Sequence, residues 1–165
     1  MIYETDRLKL VLLLANDLNN WALDIEKLEK KIGYKYDAEE LDDEFKNIIL
    51  SQRAKCLLDE KNTIWYSFFW ICLKSNNKVI GSIDFKHPPV DKITEIGYGL
   101  GKKYEGYGYM SESVKALVSI AQNKGLERLT ADTLRTNIKS QNVLLRNGFK
   151  LVKEDDEYFY YEIIL

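Results

Sequence analysis

The stretch that decides the fold reads Glu95-Ile-Gly-Tyr-Gly-Leu-Gly-Lys-Lys-Tyr-Glu-Gly-Tyr-Gly-Tyr-Met-Ser-Glu-Ser-Val-Lys-Ala-Leu-Val-Ser-Ile-Ala121. Its first part alternates as a strand does: one face packs, at Thr94, Ile96, Tyr98 and Leu100, and the other is nearly bare, at Glu95, Gly97 and Gly99. After Gly106 and Gly108, apolar residues follow the period of an amphipathic helix, at Val114, Leu117, Val118 and Ala121. The stretch therefore predicts a strand, a glycine-rich loop and a helix that begins at the loop.

A helix that directly follows a glycine loop is a favourable place for a phosphate group. Its first backbone N–H groups have no partner within the helix, its dipole is positive at that end, and glycines let the backbone approach a ligand closely. The loop lacks the Lys-Ser/Thr ending of a P-loop and the third glycine of a dinucleotide fingerprint, which disfavours both of those folds. For the loop by itself, glycines that serve only tight turns are an equally good interpretation.

Length and composition define the class of protein. A chain of 165 residues can bury about two-thirds of its unfolded surface as one domain. Lys and Arg total 24 and Asp and Glu total 26, a net charge of −2, so we expect neither nucleic acid nor a membrane as partner. Cys56 and Cys72 have no neighbours in metal-ligand spacing, which predicts buried, reduced thiols and no metal. No run approaches the ~18 apolar residues of a membrane span, and we expect a cytoplasmic protein.

The first part of the chain predicts a buried strand followed by two helices. The strand runs from Leu8 to Leu14, and Asn16 or Asp17 is positioned to cap the next helix. The inward face of that helix is formed by Leu18, Trp21, Ala22, Ile25 and Leu28. A second, charged helix is expected from Ala38 to about Leu58, with an inward face at Leu41, Phe45 and Ile48. The connection carries two aromatic residues that fit either packing or substrate contact, Tyr34 and Tyr36.

The remaining chain predicts strands around the central helix. The expected strands are Tyr66–Leu73, Val79–Phe85, Ile93–Leu100, Arg128–Leu134, Leu151–Lys153 and Tyr158–Ile164. A further helix is expected from Ile138 to Arg146, with Asn137 as its N-cap and Gly148 at its end. No linker, repeat or low-complexity tract interrupts this order. The sequence therefore predicts a single α+β domain over residues 1–165, with one parallel strand crossing at its centre.

Two motifs resemble those of one acetyltransferase superfamily. The segment Asn137-Ile-Lys-Ser140-Gln-Asn-Val-Leu-Leu-Arg-Asn-Gly148-Phe149 resembles the Asn-x-x-Ser…Gly-Phe helix of the GNAT superfamily. The loop Glu105-Gly-Tyr-Gly-Tyr-Met110 is similar to its Gln/Arg-x-x-Gly-x-Gly/Ala pattern and departs from it at Glu105 and Met110. Three further segments look most like the branch that includes the ribosomal-protein N-terminal acetyltransferases: residues 4–8, 79–83 and 95–112.

The resemblance implies a fold and a cofactor. The fold would be a mixed central sheet of about seven strands flanked by about four helices, with a gap between the fourth and fifth strands, those predicted at 93–100 and 128–134. Acetyl-CoA would lie in that gap, beside Gly97 and Gly99, with its pyrophosphate on the loop amides. The implied cofactor-binding residues are Leu100, Glu105, Gly106, Tyr107, Gly108, Tyr109, Met110, Ser111, Asn137 and Ser140.

The implied chemistry is direct attack of an amine on the thioester, which needs a base for the amine and a proton for the leaving thiolate. Glu95 is the candidate base because alternation places it on the face of Gly97 and Gly99; a solvated strand residue is the alternative. Many members carry a tyrosine acid shortly before Gly-Phe, where this chain has Leu144 and Leu145. Ser140 or water would then supply the proton. Asn137 fits a helix cap, a cofactor contact or both.

Three classes of function remain to be distinguished. The leading hypothesis is an N-acetyltransferase that uses acetyl-CoA, and the second is a non-catalytic acyl-CoA-binding or regulatory module on the same fold. The third, a nucleotide-binding protein of another family, fits the loop poorly. The acceptor would be a primary amine, either a peptide N-terminus or a small molecule, and a homodimer is left open. Neither the acceptor nor the acyl chain length follows from the sequence.

Overall fold

The structure is a computed structural model and describes residues 1–165. Its nine strands are β1 (Ile2–Glu4), β2 (Leu8–Leu12), β3 (Lys35–Tyr36), β4 (Phe68–Leu73), β5 (Lys78–Phe85), β6 (Ile93–Leu100), β7 (Arg128–Leu134), β8 (Lys150–Glu154) and β9 (Tyr158–Ile164). Its α-helices are α1 (Ala15–Leu23), α2 (Ile25–Ile32), α3 (Asp43–Leu58), α4 (Tyr109–Asn123) and α5 (Ile138–Arg146), with short 3-10 helices at Glu60–Trp65 and Lys102–Tyr104. No helix combines the length and the apolarity that crossing a membrane requires.

The strands form one mixed sheet in the order β1-β2-β4-β5-β6-β7-β9-β8, with β3 paired to β5. Only the β3–β5 and β6–β7 pairs are parallel. The predicted mixed α+β architecture is confirmed. The sheet has nine strands where seven were expected because β1 and β3 are too short to show a clear pattern. A fifth helix is present because the first predicted helix is divided in two.

Helices cover both faces of the sheet, and this creates two cores. Residues of β4 supply both: Phe69, Ile71 and Leu73 pack with α4, whereas Phe68, Trp70 and Cys72 pack with α1, α2 and α3. Every residue of β4 is therefore buried, which explains why this strand is continuously apolar. Cys56 and Cys72 are free and buried, as predicted.

The start of the helical region differs from the sequence prediction. Leu14, not Asn16 or Asp17, occupies the N-cap of α1; Asp17 lies three residues further on, where its carboxylate accepts a hydrogen bond from the Leu14 amide at 3.0 Å. The predicted helical face extends through two helices because Asp24 ends α1 and caps α2, accepting from the Lys27 amide. The carboxylate at the third position of the helix thus satisfies the amide of the N-cap residue, whereas a side-chain cap from Leu14 is absent.

The second helix also begins later than predicted. Helix α3 starts at Asp43, and the side chain of Asp42 caps it by accepting a hydrogen bond from the Phe45 amide at 2.7 Å. The buried residues on its inner face are Ile49 and Cys56, whereas Ile48 is 43% exposed. The acids before Asp43 fit the first turn of a helix by sequence, but in the structure they form the connection and the cap.

The strands around the central stretch agree closely with prediction, and so does the gap between them. β6 and β7 are paired only from Ile93↔Arg128 to Glu95↔Thr130. Beyond that point β6 continues to pair with β5 as far as Leu100, while β7 continues with β9. The two parallel strands therefore separate after Glu95, and the predicted gap between them is confirmed.

Candidate active site

The loop before α4 presents a row of unpaired backbone donors. Gly106 and Gly108 adopt φ angles of 84° and 80°, in the left-handed region that favours glycine. None of the backbone N–H groups of residues 106–111 donates a hydrogen bond within the protein. These amides include the first turn of α4, where the helix dipole is positive. The arrangement is suited to hold a phosphate group.

Arg7, in the segment between β1 and β2, fixes the shape of this loop. Its Nη1 donates to the Tyr107 carbonyl oxygen at 2.9 Å, and its Nε donates to Glu112 Oε2 at 2.7 Å. The guanidinium also lies 4.5 Å from the ring centroid of Tyr109. Burial raises the pKa of Glu112, but hydrogen bonds from Thr5 and Arg7 outweigh it and hold the pKa below its usual value. Arg7 and Glu112 thus hold the loop with its carbonyl turned toward Arg7.

A cavity of about 330 Å³ lies between this loop, the end of β6 and α5. Among the predicted cofactor-binding residues, those that line it are Leu100, Glu105, Gly106, Gly108, Tyr109, Met110, Ser111, Asn137 and Ser140. Tyr107 does not line it, because its side chain is 62% exposed and its ring stacks on Tyr109 at 5.7 Å. Asn137 caps α5 by accepting a hydrogen bond from the Ser140 amide at 3.1 Å.

The same cavity contains residues of α5 that the sequence reading missed: Lys139, Asn142, Val143 and Arg146. Lys139 forms an ion pair with Glu105 of the loop. Glu105, the acid that departs from the family pattern, is therefore in contact with a cationic side chain that lines the same cavity. The four residues are spaced i, i+3, i+4 and i+7, the period of one helical face, and that spacing could have identified them.

Tyr98 of β6 contacts Ser140 of α5 in this cavity. Its hydroxyl and the Ser140 hydroxyl lie 2.8 Å apart, within hydrogen-bond distance. Burial raises the pKa of Tyr98 to about 12, although the hydrogen bond to Ser140 opposes this shift. The phenol therefore stays protonated at neutral pH. The chain therefore has a hydroxyl pair in this cavity, although it lacks a tyrosine at positions 144 and 145.

A second, larger cavity of about 640 Å³ lies against the first, and Tyr98, Gly99 and Leu100 line both. A side-chain carbon built on Gly99 would have no atom within 4 Å, so the junction of the two cavities is open there. Gly81 has the opposite role: a carbon added to it would lie 2.2 Å from the Gly99 carbonyl oxygen, so glycine at 81 lets β5 approach β6.

The walls of the larger cavity are of two kinds. One wall is aromatic, formed by Trp21, Tyr36, Phe45 and Phe68. The Trp21 ring centroid lies 5.7 Å from that of Phe45 and 5.5 Å from that of Phe68, so the rings form one cluster. Of the two tyrosines on the connection before α3, Tyr36 lines the cavity and Tyr34 does not. The other wall is polar and is formed by Ser82 and Asp84 of β5 and by Lys86, the residue that follows this strand.

Glu95, the predicted base, lines neither cavity. Its carboxylate forms an ion pair with Lys86, which also lies 3.4 Å from Asp132. Burial lowers the pKa of Lys86, but Glu95 and then Asp132 raise it by a larger amount, so the ammonium is firmly charged. The structure thus brings Ser140 to the cavities and leaves Glu95 outside them, held in a salt bridge. Alternation gave the correct face for Glu95, but the gap opens only beyond it.

Comparison with known proteins agrees with this geometry. A family model described as an acetyltransferase (GNAT) domain matches residues 7–150. The ribosomal-protein-serine acetyltransferase of Escherichia coli (strain K12) is 33% identical over 107 residues, which are 64% of this chain and 53% of that protein. The matched part thus spans about half the length of this curated relative.

Two solved structures have the same fold over nearly their whole length. RimL, a ribosomal L7/L12 alpha-N-protein acetyltransferase in complex with coenzyme A, superposes with a TM-score of 0.73 at 19% identity, covering 100% of this chain and 98% of that one. The ribosomal-protein-S5-alanine acetyltransferase of Vibrio fischeri gives 0.72 at 16% identity, covering 99% and 96%. With a family match that extends over residues 7–150, the chain belongs to the GNAT acetyltransferase domain family.

Proposed function

We propose that residues 1–165 form one acetyltransferase domain that transfers an acetyl group from acetyl-CoA to an amine. The observation that carries the proposal is the meeting of two cavities at Gly99, one beside a loop suited to phosphate and one open to an acceptor. A protein that only stored acyl-CoA would not need the second cavity. The similarity in fold to a RimL structure that contains coenzyme A supports the choice of cofactor.

The residues of the smaller cavity fit coenzyme A by their chemistry. The unpaired amides of residues 106–111 would hold the pyrophosphate, and the side chains of Lys139 and Arg146 would supply positive charge around the phosphates. Leu100 and Met110 add apolar surface for the pantetheine arm. When bound, acetyl-CoA supplies the activated acetyl thioester; the protein supplies position and proton transfer.

Ser140 and Tyr98 are the proposed source of the proton for the leaving sulfur. Their hydroxyls are hydrogen-bonded to each other, and both side chains line the smaller cavity. A proton given by Ser140 can be replaced along the hydrogen bond from Tyr98, whose phenol remains protonated at neutral pH because burial raises its pKa to about 12. Asn137 helps to position Ser140, because its side chain caps α5 and accepts a hydrogen bond from the Ser140 amide.

The acceptor is proposed to be an amine that enters through the larger cavity. The printed names of the relatives describe acetylation of ribosomal proteins, one of them at the alpha-amino group, so a peptide N-terminus is one candidate. A small-molecule amine fits the same chemistry. A cavity of about 640 Å³ is of the size that accommodates either a small molecule or the first residues of a peptide.

The test is release of free thiol from acetyl-CoA in the presence of a panel of amines, together with calorimetric binding of CoA, ATP and NAD. We expect CoA to bind in preference to the two nucleotides, and thiol release to depend on an amine. CoA binding without thiol release for any amine would favour the non-catalytic module instead. Stronger binding of ATP or NAD would contradict the assignment of the cavity.

A further inference from the structure

Asp84 is a buried carboxylate that no other group in the protein satisfies. It is 8% exposed, faces the larger cavity from β5, and its carboxylate takes part in no hydrogen bond or ion pair within the protein. It lies opposite Gly97 in the β5–β6 ladder, and a side-chain carbon built on Gly97 would lie 3.0 Å from Asp84 Oδ1. A buried acid without a partner is costly unless a ligand supplies one.

The position of Asp84 relates it to the junction of the two cavities. Gly97 lies two residues before Gly99 on β6, and side chains at those positions would share one face of the strand. The space above Gly97 is filled by Asp84 itself and by the stem of Lys86, whose Cε would lie 3.2 Å from an added side-chain carbon, whereas the space above Gly99 is open. Asp84 therefore lies beside the open space at the junction. The sequence predicted a carboxylate of β6, Glu95, beside Gly97 and Gly99. In the structure, the carboxylate beside Gly97 is that of Asp84, on the neighbouring strand β5.

We propose that Asp84 binds the ammonium group of the acceptor and takes a proton from it, in an acceptor whose apolar body lies against the aromatic wall of the larger cavity. The proposal rests on the acetyltransferase function proposed above and names a residue and a class of acceptor for it. The aromatic wall consists of Trp21, Tyr36, Phe45 and Phe68. The acceptor proposed from this wall is an amine attached to a branched aliphatic or aromatic group; a polyamine, which the carboxylates of Glu39, Glu40 and Asp42 in the same cavity would attract, is the competing outcome of the test.

The proton balance of the step is simple. An acceptor that enters as R–NH₃⁺ gives one proton to the Asp84 carboxylate and becomes R–NH₂. Its nitrogen forms the new C–N bond to the acetyl carbon while the C–S bond to CoA breaks. The sulfur receives one proton from the Ser140–Tyr98 pair, and the second proton lost by the nitrogen restores that pair. The net products are the acetylated amine, CoA thiol and one proton, which Asp84 releases to solvent.

Other charges near Asp84 tune this transfer. Burial raises the pKa of Asp84 to about 7; the charge of Lys86 opposes the shift and that of Glu95 adds to it. The remaining titratable groups that face the cavity are Tyr36, Glu39, Glu40, Asp42 and Tyr98. A carboxyl group with a pKa near neutrality can take a proton from an ammonium group and return it to solvent at the same pH.

The assignment can be tested with two matched carboxamide variants, Asp84→Asn and Glu95→Gln. Thiol release is measured from pH 6 to 10 with phenethylamine, spermidine and short peptides that begin with Leu or Ser, and CoA binding is measured by calorimetry. We expect Asp84→Asn to lower kcat/KM for the amine by about 10²-fold or more near neutral pH, with CoA affinity unchanged within about twofold. The loss should diminish toward high pH, where free amine is abundant.

Several outcomes would overturn the assignment. An active wild-type enzyme with an equally active Asp84→Asn variant, or a large loss confined to Glu95→Gln, would remove Asp84 as the base. A wild-type enzyme that binds CoA but acetylates none of the amines would instead count against the proposed function itself. The two failures are therefore distinguishable.

The acceptor class has its own variant, Phe45→Ala. We expect phenethylamine and the Leu peptide to exceed spermidine and the Ser peptide in kcat/KM by about tenfold or more in the wild type, because only the first two bury a large apolar group against the aromatic wall. Phe45→Ala should reduce that preference without changing CoA affinity. A preference for spermidine, or one that Phe45→Ala does not alter, would contradict the apolar acceptor. Comparing the free amine with the peptide shows which source the enzyme uses.

Discussion

The hydroxyl oxygens of Tyr98 on β6 and Ser140 on α5 lie 2.8 Å apart, across the gap where the two parallel strands of the sheet separate. Tyr98 lines both cavities, and Ser140 lines only the smaller one. The pair thus reaches from the larger cavity to the smaller one through a single hydrogen bond. A chain that lacks a tyrosine at positions 144 and 145 still has a phenol where the two cavities meet, supplied by a strand.

If this pair supplies the proton, its two members should act as one unit. Ser140→Ala should lower kcat by about 10²-fold, and Tyr98→Phe should lower it less, because Ser140 can still exchange a proton with water. The double variant should be no slower than Ser140→Ala alone. Steady-state thiol release checks this. Equal and additive losses would mean that the two residues act separately.

As a stability reference, Asn137→Ala should lower the unfolding free energy by about 1 kcal/mol through loss of the α5 cap.

Gly108→Ala should weaken CoA binding more than it weakens the fold. Gly108 has φ of 80° at the N-cap of α4, and Gly125, beyond the C-terminal end of the same helix, has φ of 76°. Alanine in that conformation costs roughly 1–2 kcal/mol at either position. Only Gly108 lines the cavity. Calorimetry and thermal melting of both variants should therefore show similar losses of stability, with reduced CoA affinity in Gly108→Ala alone. Equal CoA affinities would remove the loop from the site.

Gly99→Val should close the junction of the cavities without harming the fold. A side-chain carbon added to Gly99 meets no atom within 4 Å, and valine is favourable in a strand, so the melting temperature should hold or rise. The valine methyl groups would occupy the space through which amine and thioester meet. We expect kcat/KM for acetyl transfer to fall by at least about tenfold, which corresponds to 1.4 kcal/mol. Normal transfer by a stable Gly99→Val variant would place the junction elsewhere.

Glu105→Gln and Lys139→Ala should change CoA affinity in opposite directions. Glu105 now pairs with Lys139, so its removal leaves the ammonium free for the phosphates. Because an exposed ion pair contributes at most roughly 1 kcal/mol, each change in Kd should be up to about fivefold. Calorimetry at two salt concentrations tests this, since higher salt should reduce the difference. A Glu105→Gln variant that binds CoA more weakly would show that the acid serves the cofactor directly.

Asp84→Asn should raise the free energy of unfolding, with an effect that grows above about pH 4 and is complete above about pH 7. The folded pKa of Asp84, about 7, exceeds its ordinary value of 3.8, so the folded state holds the proton more firmly than the unfolded state. Stability of the wild type therefore falls as pH rises from about 4 to about 7, and the deficit remains complete above that window. Asp84→Asn should be more stable at pH 8, by on the order of 4 kcal/mol, and equal to the wild type near pH 3.5. Chemical denaturation at both pH values measures this. A constant difference would indicate a packing effect.

The strands and helices with strong periodicity were predictable from the sequence. β6, β7 and α5 begin and end at the predicted residues because alternation, glycines and the Asn137 cap all indicate the same boundaries. The beginning of α3 was not predictable, because the acids before it fit both the first turn of a helix and a connection. The short strands β1 and β3 owe their pairing to neighbours and carry no pattern of their own.

The candidate site was predictable along the loop and less so across the sheet. Residues 105–111 lie together because they are consecutive, so one motif identifies most of them. Asp84 enters the site from β5, and its opposition to Gly97 depends on the register of two strands that sequence periodicity does not fix. Glu95 has the right face but stops short of the point where β6 and β7 diverge. Lys139 was missed although its helical spacing was visible.

The contact of Arg7 with the Tyr107 carbonyl joins residues one hundred positions apart in the chain. The loop at the start of α4 therefore attains its shape only after the first strands have docked on the rest of the sheet, and a nascent or partly unfolded chain would lack it. Recognition of CoA is in this sense a property of the completed domain. CoA binding should therefore stabilise the whole native state against unfolding. Saturating CoA should raise the temperature of global unfolding, and its effect should not be limited to the mobility of one loop.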